Sequence, residues 1–203
     1  IGAVPKQGLA ITTGSGDDVM ILKSSTSQSS NSTTGANLSL SLGAGDDILA
    51  NGNTSVHTVV GATFDGGAGT DTVYASLINN GNAAQFTNFE VLGLDLTTNG
   101  SAIDTSIFAD AETLLLIANA ATSGHTVTYS GLSQTQGLVV GSSMGTDAGT
   151  AVLGFGVAEI AGTADSYTVT FAADGALTAA ATPTAIKAAT LSLAYIENIK
   201  LVS

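Results

Sequence analysis

Apolar residues in this chain come in short runs with strand character, broken by small and polar positions. Gly, Ser, Thr and β-branched residues interrupt almost every helix-length window, and these are poor helix formers. The pattern predicts strands over 37–42, 57–64, 72–78, 89–96, 113–117, 125–129, 138–140, 167–171 and 196–202, each bounded by Gly, Asn, Asp or Ser. One segment, 104–112, reads either as a helix with Ile107 and Phe108 facing inward or as a short turn. The longest apolar run, Leu114 to Ala118, has strand length and falls far short of the roughly 18 residues that span a membrane. Residues 24–35 (SSTSQSSNSTTG) are a low-complexity polar tract, read as an exposed loop or as an interdomain linker.

Between the early strands one turn recurs three times. It reads Gly14-Ser15-Gly16-Asp17-Asp18, Gly43-Ala44-Gly45-Asp46-Asp47 and Gly67-Ala68-Gly69-Thr70-Asp71. Two positions after the last Asp stands an apolar residue: Met20, Leu49 and Val73. With Gly66 in front, the third copy becomes the full nonapeptide G-G-x-G-x-D-x-U-x of calcium-binding parallel β-rolls. Glycine permits backbone angles that turn carbonyl oxygens inward. The Asp adds a carboxylate, and the apolar residue starts a strand. Calcium takes six to eight oxygen ligands, more than one turn supplies, so two stacked turns must share an ion. Three ordinary Gly-Asp turns are the plainer alternative, but the shared apolar follower argues against coincidence.

The equivalent glycines Gly14, Gly43 and Gly67 lie 29 and 24 residues apart, where a pure β-roll repeats every nine residues. The spacing predicts a parallel β-solenoid or β-roll with coils of these lengths and calcium turns stacked along one edge. Its metal ligands are expected among Gly14, Gly16, Asp17, Asp18, Gly43, Gly45, Asp46, Asp47, Asp65, Gly67, Gly69 and Asp71, arranged as about two sandwiched sites. Asp65, Asp17 and Asp46 either add ligands or are simply solvated. A fainter repeat links Phe89-Glu90-Val91-Leu92-Gly93-Leu94 with Ile196-Glu197-Asn198-Ile199-Lys200-Leu201, and Tyr167 to Phe171 after Asp165 with Val73 after Asp71. Gly145 to Gly149 is at best a relic turn. The expected organisation is a calcium-binding region over 1–96 and a degenerate solenoid or β-sandwich region over 97–203, or one continuous all-β domain.

Composition narrows the partners. Sixteen acidic residues face four basic ones, a net charge of -12. Nothing neutralises phosphates, which argues against nucleic acid and anionic membranes and points to a cation. Charged residues are only 10%, against about 25% in an average domain, yet 44% of the chain is hydrophobic, so it folds and is not an acidic disordered tail. There is no cysteine, which leaves the redox compartment open. Residue 1 is Ile with no visible signal peptide, which suggests a fragment, a processed product or an export signal that is not N-terminal.

The three turns resemble the RTX (hemolysin-type calcium-binding) repeats of proteins exported by type I secretion in Gram-negative bacteria. Together with the strands NFEVLGLDL and AETLLLIAN, they look like RTX-type surface-layer proteins such as those of Caulobacter and Campylobacter. The specific resemblance covers about residues 13 to 75. It implies secretion, a cell-surface location and calcium that orders the fold and drives lattice assembly. The chain departs from the family in its few, widely spaced turns, only the third with Gly-Gly.

Catalytic signatures are weak. Gly141-Ser142-Ser143-Met144-Gly145 matches G-x-S-x-G, but glycines follow where a helix is needed, and no His follows Ser143. His57 and His125 flank strand residues and are expected on solvent faces. No P-loop, EF-hand or H-E-x-x-H is present. The expectation is a non-enzymatic, self-associating structural protein. A calcium-rigidified adhesin holding cell-surface polysaccharide, and the C-terminal module of a secreted hydrolase, are the alternatives.

Overall fold

The structure, a computed structural model, describes residues 9–22, 38–52, 62–95, 101–108, 111–117, 126–140, 150–156, 166–171, 190–193 and 198–202. The chain is all-β, and its strands pair in parallel. The polar tract 24–35, His57, His125 and the glycine-rich stretch 141–149 lie outside the described residues. Among the described residues no helix is long and apolar enough to cross a membrane.

Two compact units divide the chain, Ile1–Val91 and Leu92–Ser203. In the first, β1 (Leu9–Thr12), β3 (Leu38–Ser41), β5 (Thr63–Asp65) and β7 (Phe86–Thr87) form one parallel sheet in that order. Alternating with them along the chain, β2 (Val19–Leu22), β4 (Ile48–Asn51) and β6 (Thr72–Tyr74) pair with one another. Each glycine turn therefore joins a strand of one sheet to a strand of the other. Register puts Met20 opposite Leu49, and Leu49 opposite Val73. Leu49 and Val73 are fully buried. From the facing sheet come Leu40, Phe64 and Phe86, with Phe64 and Phe86 stacked at 4.8 Å.

The second unit repeats the plan. Here β9 (Ser101–Asp104), β11 (Thr126–Leu132), β13 (Thr150–Phe155) and β15 (Thr190–Leu193) make one parallel sheet. The alternating set is β8 (Val91–Asp95), β10 (Thr113–Ile117), β12 (Gly137–Val140), β14 (Ser166–Phe171) and β16 (Asn198–Val202). Leu114, Leu138 and Val169 share one buried register column.

One predicted element differs. The strand expected over 72–78 ends at Tyr74 and becomes a 3-10 turn, Ala75–Leu77. Residues Ala75, Ser76, Leu77 and Ile78 are all buried, and Ile78 N–H donates to Ala75 O at 3.0 Å to close the turn. Of the two readings of segment 104–112, the described residues have the short turn, a 3-10 turn at Thr105–Phe108: Asp104 Oδ1 accepts both the N–H and the hydroxyl of Ser106 and starts a tight turn.

Candidate metal centre

The glycines fix the turn geometry. Gly14, Gly16, Gly43, Gly45, Gly67 and Gly69 all have φ between 94° and 147°, a region other residues avoid. Successive turns then stack directly. Ala44 N–H donates to Gly14 O at 2.9 Å and Ala68 N–H to Gly43 O at 2.9 Å, while Gly16 and Gly45 donate to the carbonyls of Ala44 and Ala68. A Cβ on Gly43 or Gly67 would lie 1.9 or 2.1 Å from the carbonyl oxygen of the turn before. Glycine is thus required at these positions for space as well as for angle.

Two carboxylate ladders run across the stack. On the inner one, Asp18 N–H donates to Asp47 Oδ1 and Asp47 N–H to Asp71 Oδ1, both at 2.7 Å. Asp71 N–H donates in turn to Glu90 Oε2 at 2.9 Å. On the outer one, Asp46 N–H donates to Asp17 Oδ1 and Thr70 N–H to Asp46 Oδ1. Asp47 and Asp71 are 0% exposed, whereas Asp17 and Asp46 are solvent-exposed. Adjacent acids in the sequence therefore have different environments. Asp65 lies outside both ladders, with its Oδ1 accepting from Asn88 Nδ2 at 2.7 Å.

The inner ladder uses only one oxygen of each buried carboxylate. Asp47 Oδ2 and Asp71 Oδ2 are buried with no hydrogen-bond partner. An uncompensated buried carboxylate oxygen is costly. Burial accordingly holds the Asp71 carboxyl above its ordinary value, and the charges of Asp47, Glu90 and Asp46 push the same way, against the lowering effect of the Asp47 N–H. The carbonyl oxygens of Gly16 and Gly45 accept no hydrogen bond from any described residue. Among the described residues no three His, Cys, Asp or Glu side chains gather as a metal-holding group. A hard cation in turns of this kind draws on main-chain carbonyls as well as carboxylates. The unpartnered carboxylate oxygens and the inter-turn carbonyls fit such an ion in chemistry.

Sequence reasoning did not place Glu90, Gly66 or Asn88 in the site. Glu90 stands immediately before a strand start, as Asp18, Asp47 and Asp71 do, and this shared position was the available signal. Its loop is shorter: Glu90 lies 19 residues after Asp71, against 29 and 24 for the earlier rungs.

No protein family, curated protein or solved structure matches the chain.

Proposed function

We propose that each unit winds as a parallel β-solenoid, that calcium binds in the stacked Gly-Asp turns of the first, and that the protein is a calcium-ordered structural component of a self-assembling bacterial cell-surface layer. The observation behind the calcium reading is the pair of buried, unpartnered oxygens Asp47 Oδ2 and Asp71 Oδ2 in a ladder of stacked turns. An ion there would be held by these carboxylates and by inter-turn carbonyls, and would neutralise the charge that burial makes costly. Asp18, on the first rung, completes the set.

Self-association has its own support. The edge strand β2 presents Val19 and Ile21 at 63% and 49% exposure. An exposed apolar strand at the end of a sheet is a template for pairing with another chain. Secretion and a surface location follow from the RTX resemblance together with the net charge of -12.

The test is calcium calorimetry on metal-free protein, with Asp18→Ala, Asp47→Ala and Asp71→Ala, alongside particle size in EDTA. Binding at about 10⁻⁴ to 10⁻³ M, in the range of extracellular modules, fits the reading. Each substitution is expected to weaken binding, most strongly at the buried Asp47 and Asp71. Absence of any heat sinks the calcium reading. Assemblies unchanged in size by EDTA sink calcium-dependent assembly.

A further inference from the structure

Gly66 is not among the positive-φ glycines, so its backbone conformation does not require glycine. Space does. A Cβ on Gly66 would lie 1.9 Å from the main-chain oxygen of Asn88 and 2.9 Å from Asp71 Oδ2. Two oxygens thus converge over a residue that has no side chain to separate them. One of them, Asp71 Oδ2, is buried and unpartnered. The other is aimed by an unusual backbone: Asn88, at φ 55°, is the one non-glycine with positive φ among the described residues. Such a conformation costs free energy and persists where its surroundings impose it. Here Asn88 Nδ2 is tied to Asp65 Oδ1, and Gly66 N–H donates to Thr87 O at 3.0 Å, locking the corner against the third turn. The Glu90 carboxylate closes the arrangement, with Oε2 on Asp71 N–H.

Two carboxylates, that of Asp71 buried and that of Glu90 partly so, and a carbonyl at an exposed residue offer acceptors only. Hydrogen-bond donors cannot be supplied by these groups to each other, and their like charges repel. A divalent cation resolves both problems, and all three donors are hard oxygens.

We propose that the corner Asn88–Glu90 and the third turn enclose a separate calcium-class site, with Asp71 Oδ2, the main-chain oxygen of Asn88 and the Glu90 carboxylate as donors. It differs from the sites between glycine turns because one wall is a tight corner with no Gly-x-Gly. It rests on the calcium reading of the turns and extends it by one ion. Gly66, the leading glycine found only in the third turn, marks the site because a side chain there would meet the main-chain oxygen of Asn88 and the Asp71 carboxylate together.

Calcium titration by calorimetry, on metal-free full chain, tests it with Glu90→Gln and Gly66→Ala. Gln at 90 keeps an oxygen for Asp71 N–H but removes the charge. Ala at 66 places a methyl between the two oxygens. Both are expected to bind one calcium ion fewer than the wild type, or to bind that ion at least tenfold more weakly, with the remaining sites unchanged. Asn88→Gly, which keeps the main-chain oxygen, is expected to bind the wild-type number. Far-UV circular dichroism identifies any variant that fails to fold, and Glu90→Gln then decides, since it preserves the hydrogen bond. If the wild type binds calcium and Glu90→Gln binds the same number with the same affinity, this site is overturned while the inter-turn sites stand. If the wild type binds none, both readings fall.

Discussion

Gln136 of the second unit and the inner-ladder acids of the first stand in the same kind of place, immediately before an even-numbered strand, and are satisfied differently. In the first unit that position holds Asp18, Asp47 and Asp71. In the second, register places Glu112 and Gln136 there, one residue ahead of the pair Thr113 and Gly137. Gln136 is as buried as an inner-ladder acid, but its amide is satisfied on both sides. Its Oε1 accepts from Ser133 N–H at 3.0 Å and its Nε2 donates to Ala111 O at 3.0 Å. An amide carries donor and acceptor, so it completes a turn from main-chain groups alone. A carboxylate carries only acceptors, so Asp47 and Asp71 each keep one oxygen unpartnered. At Gln136 this position is closed by protein groups, whereas at Asp47 and Asp71 one oxygen of each carboxylate is left without a partner.

The largest effect that can break this contrast is steric. Gly67→Ala puts a Cβ 2.1 Å from the Gly43 carbonyl at φ +108°, and is expected to cost about 3 kcal/mol in urea unfolding. Gly137→Ala, at the start of β12, meets nothing within 4 Å and is expected to change stability by less than about 1 kcal/mol. Equal effects would show that the turns of the first unit are not stacked as described.

Next comes pH, in the calcium-free protein. The Asp71 carboxyl is raised above 3.8 by burial first and then by neighbouring acids. A carboxyl with a raised folded-state value binds its proton more tightly when folded. Its contribution is complete below pH 3.8 and is lost as pH rises through the raised value. Stability measured by denaturation is expected to fall over that window. Asp71→Asn supplies an amide, as at Gln136, and is expected to flatten the slope. A slope unchanged by Asp71→Asn would place its source elsewhere.

The smallest expected effect lies in the second unit. Tyr167 is buried edge-on to Phe155, its hydroxyl has no hydrogen-bond partner, and burial pushes its phenol up. Tyr167→Phe is expected to range from neutral to about 1 kcal/mol stabilising, with or without calcium. A clear loss of stability would show that the hydroxyl has a bound partner, and the second unit would no longer be self-sufficient.

How far these features were legible depends on the range of their causes. The strand cores at 113–117 and 167–171, and the rungs Asp18, Asp47 and Asp71, stand out in the sequence because alternation and glycine angles are local. Segment 72–78 misled because a run of apolar and small residues does not reveal where a strand gives way to a 3-10 turn. Glu90 was hidden because its role depends on a shortened corner, which no spacing rule for glycine turns describes.

The amino-acid sequence by itself determined that three like turns recur at 29 and 24 residues, each followed two positions on by an apolar residue, and that the structure is mostly β. Glycine's backbone freedom and the apolar pattern suffice for that. Only the tertiary structure decided which acids are buried, which oxygens lack a partner, and why Gly66 must be glycine. Those properties belong to contacts between residues about 20 to 30 positions apart, and burial gives each unpaired oxygen its energetic weight.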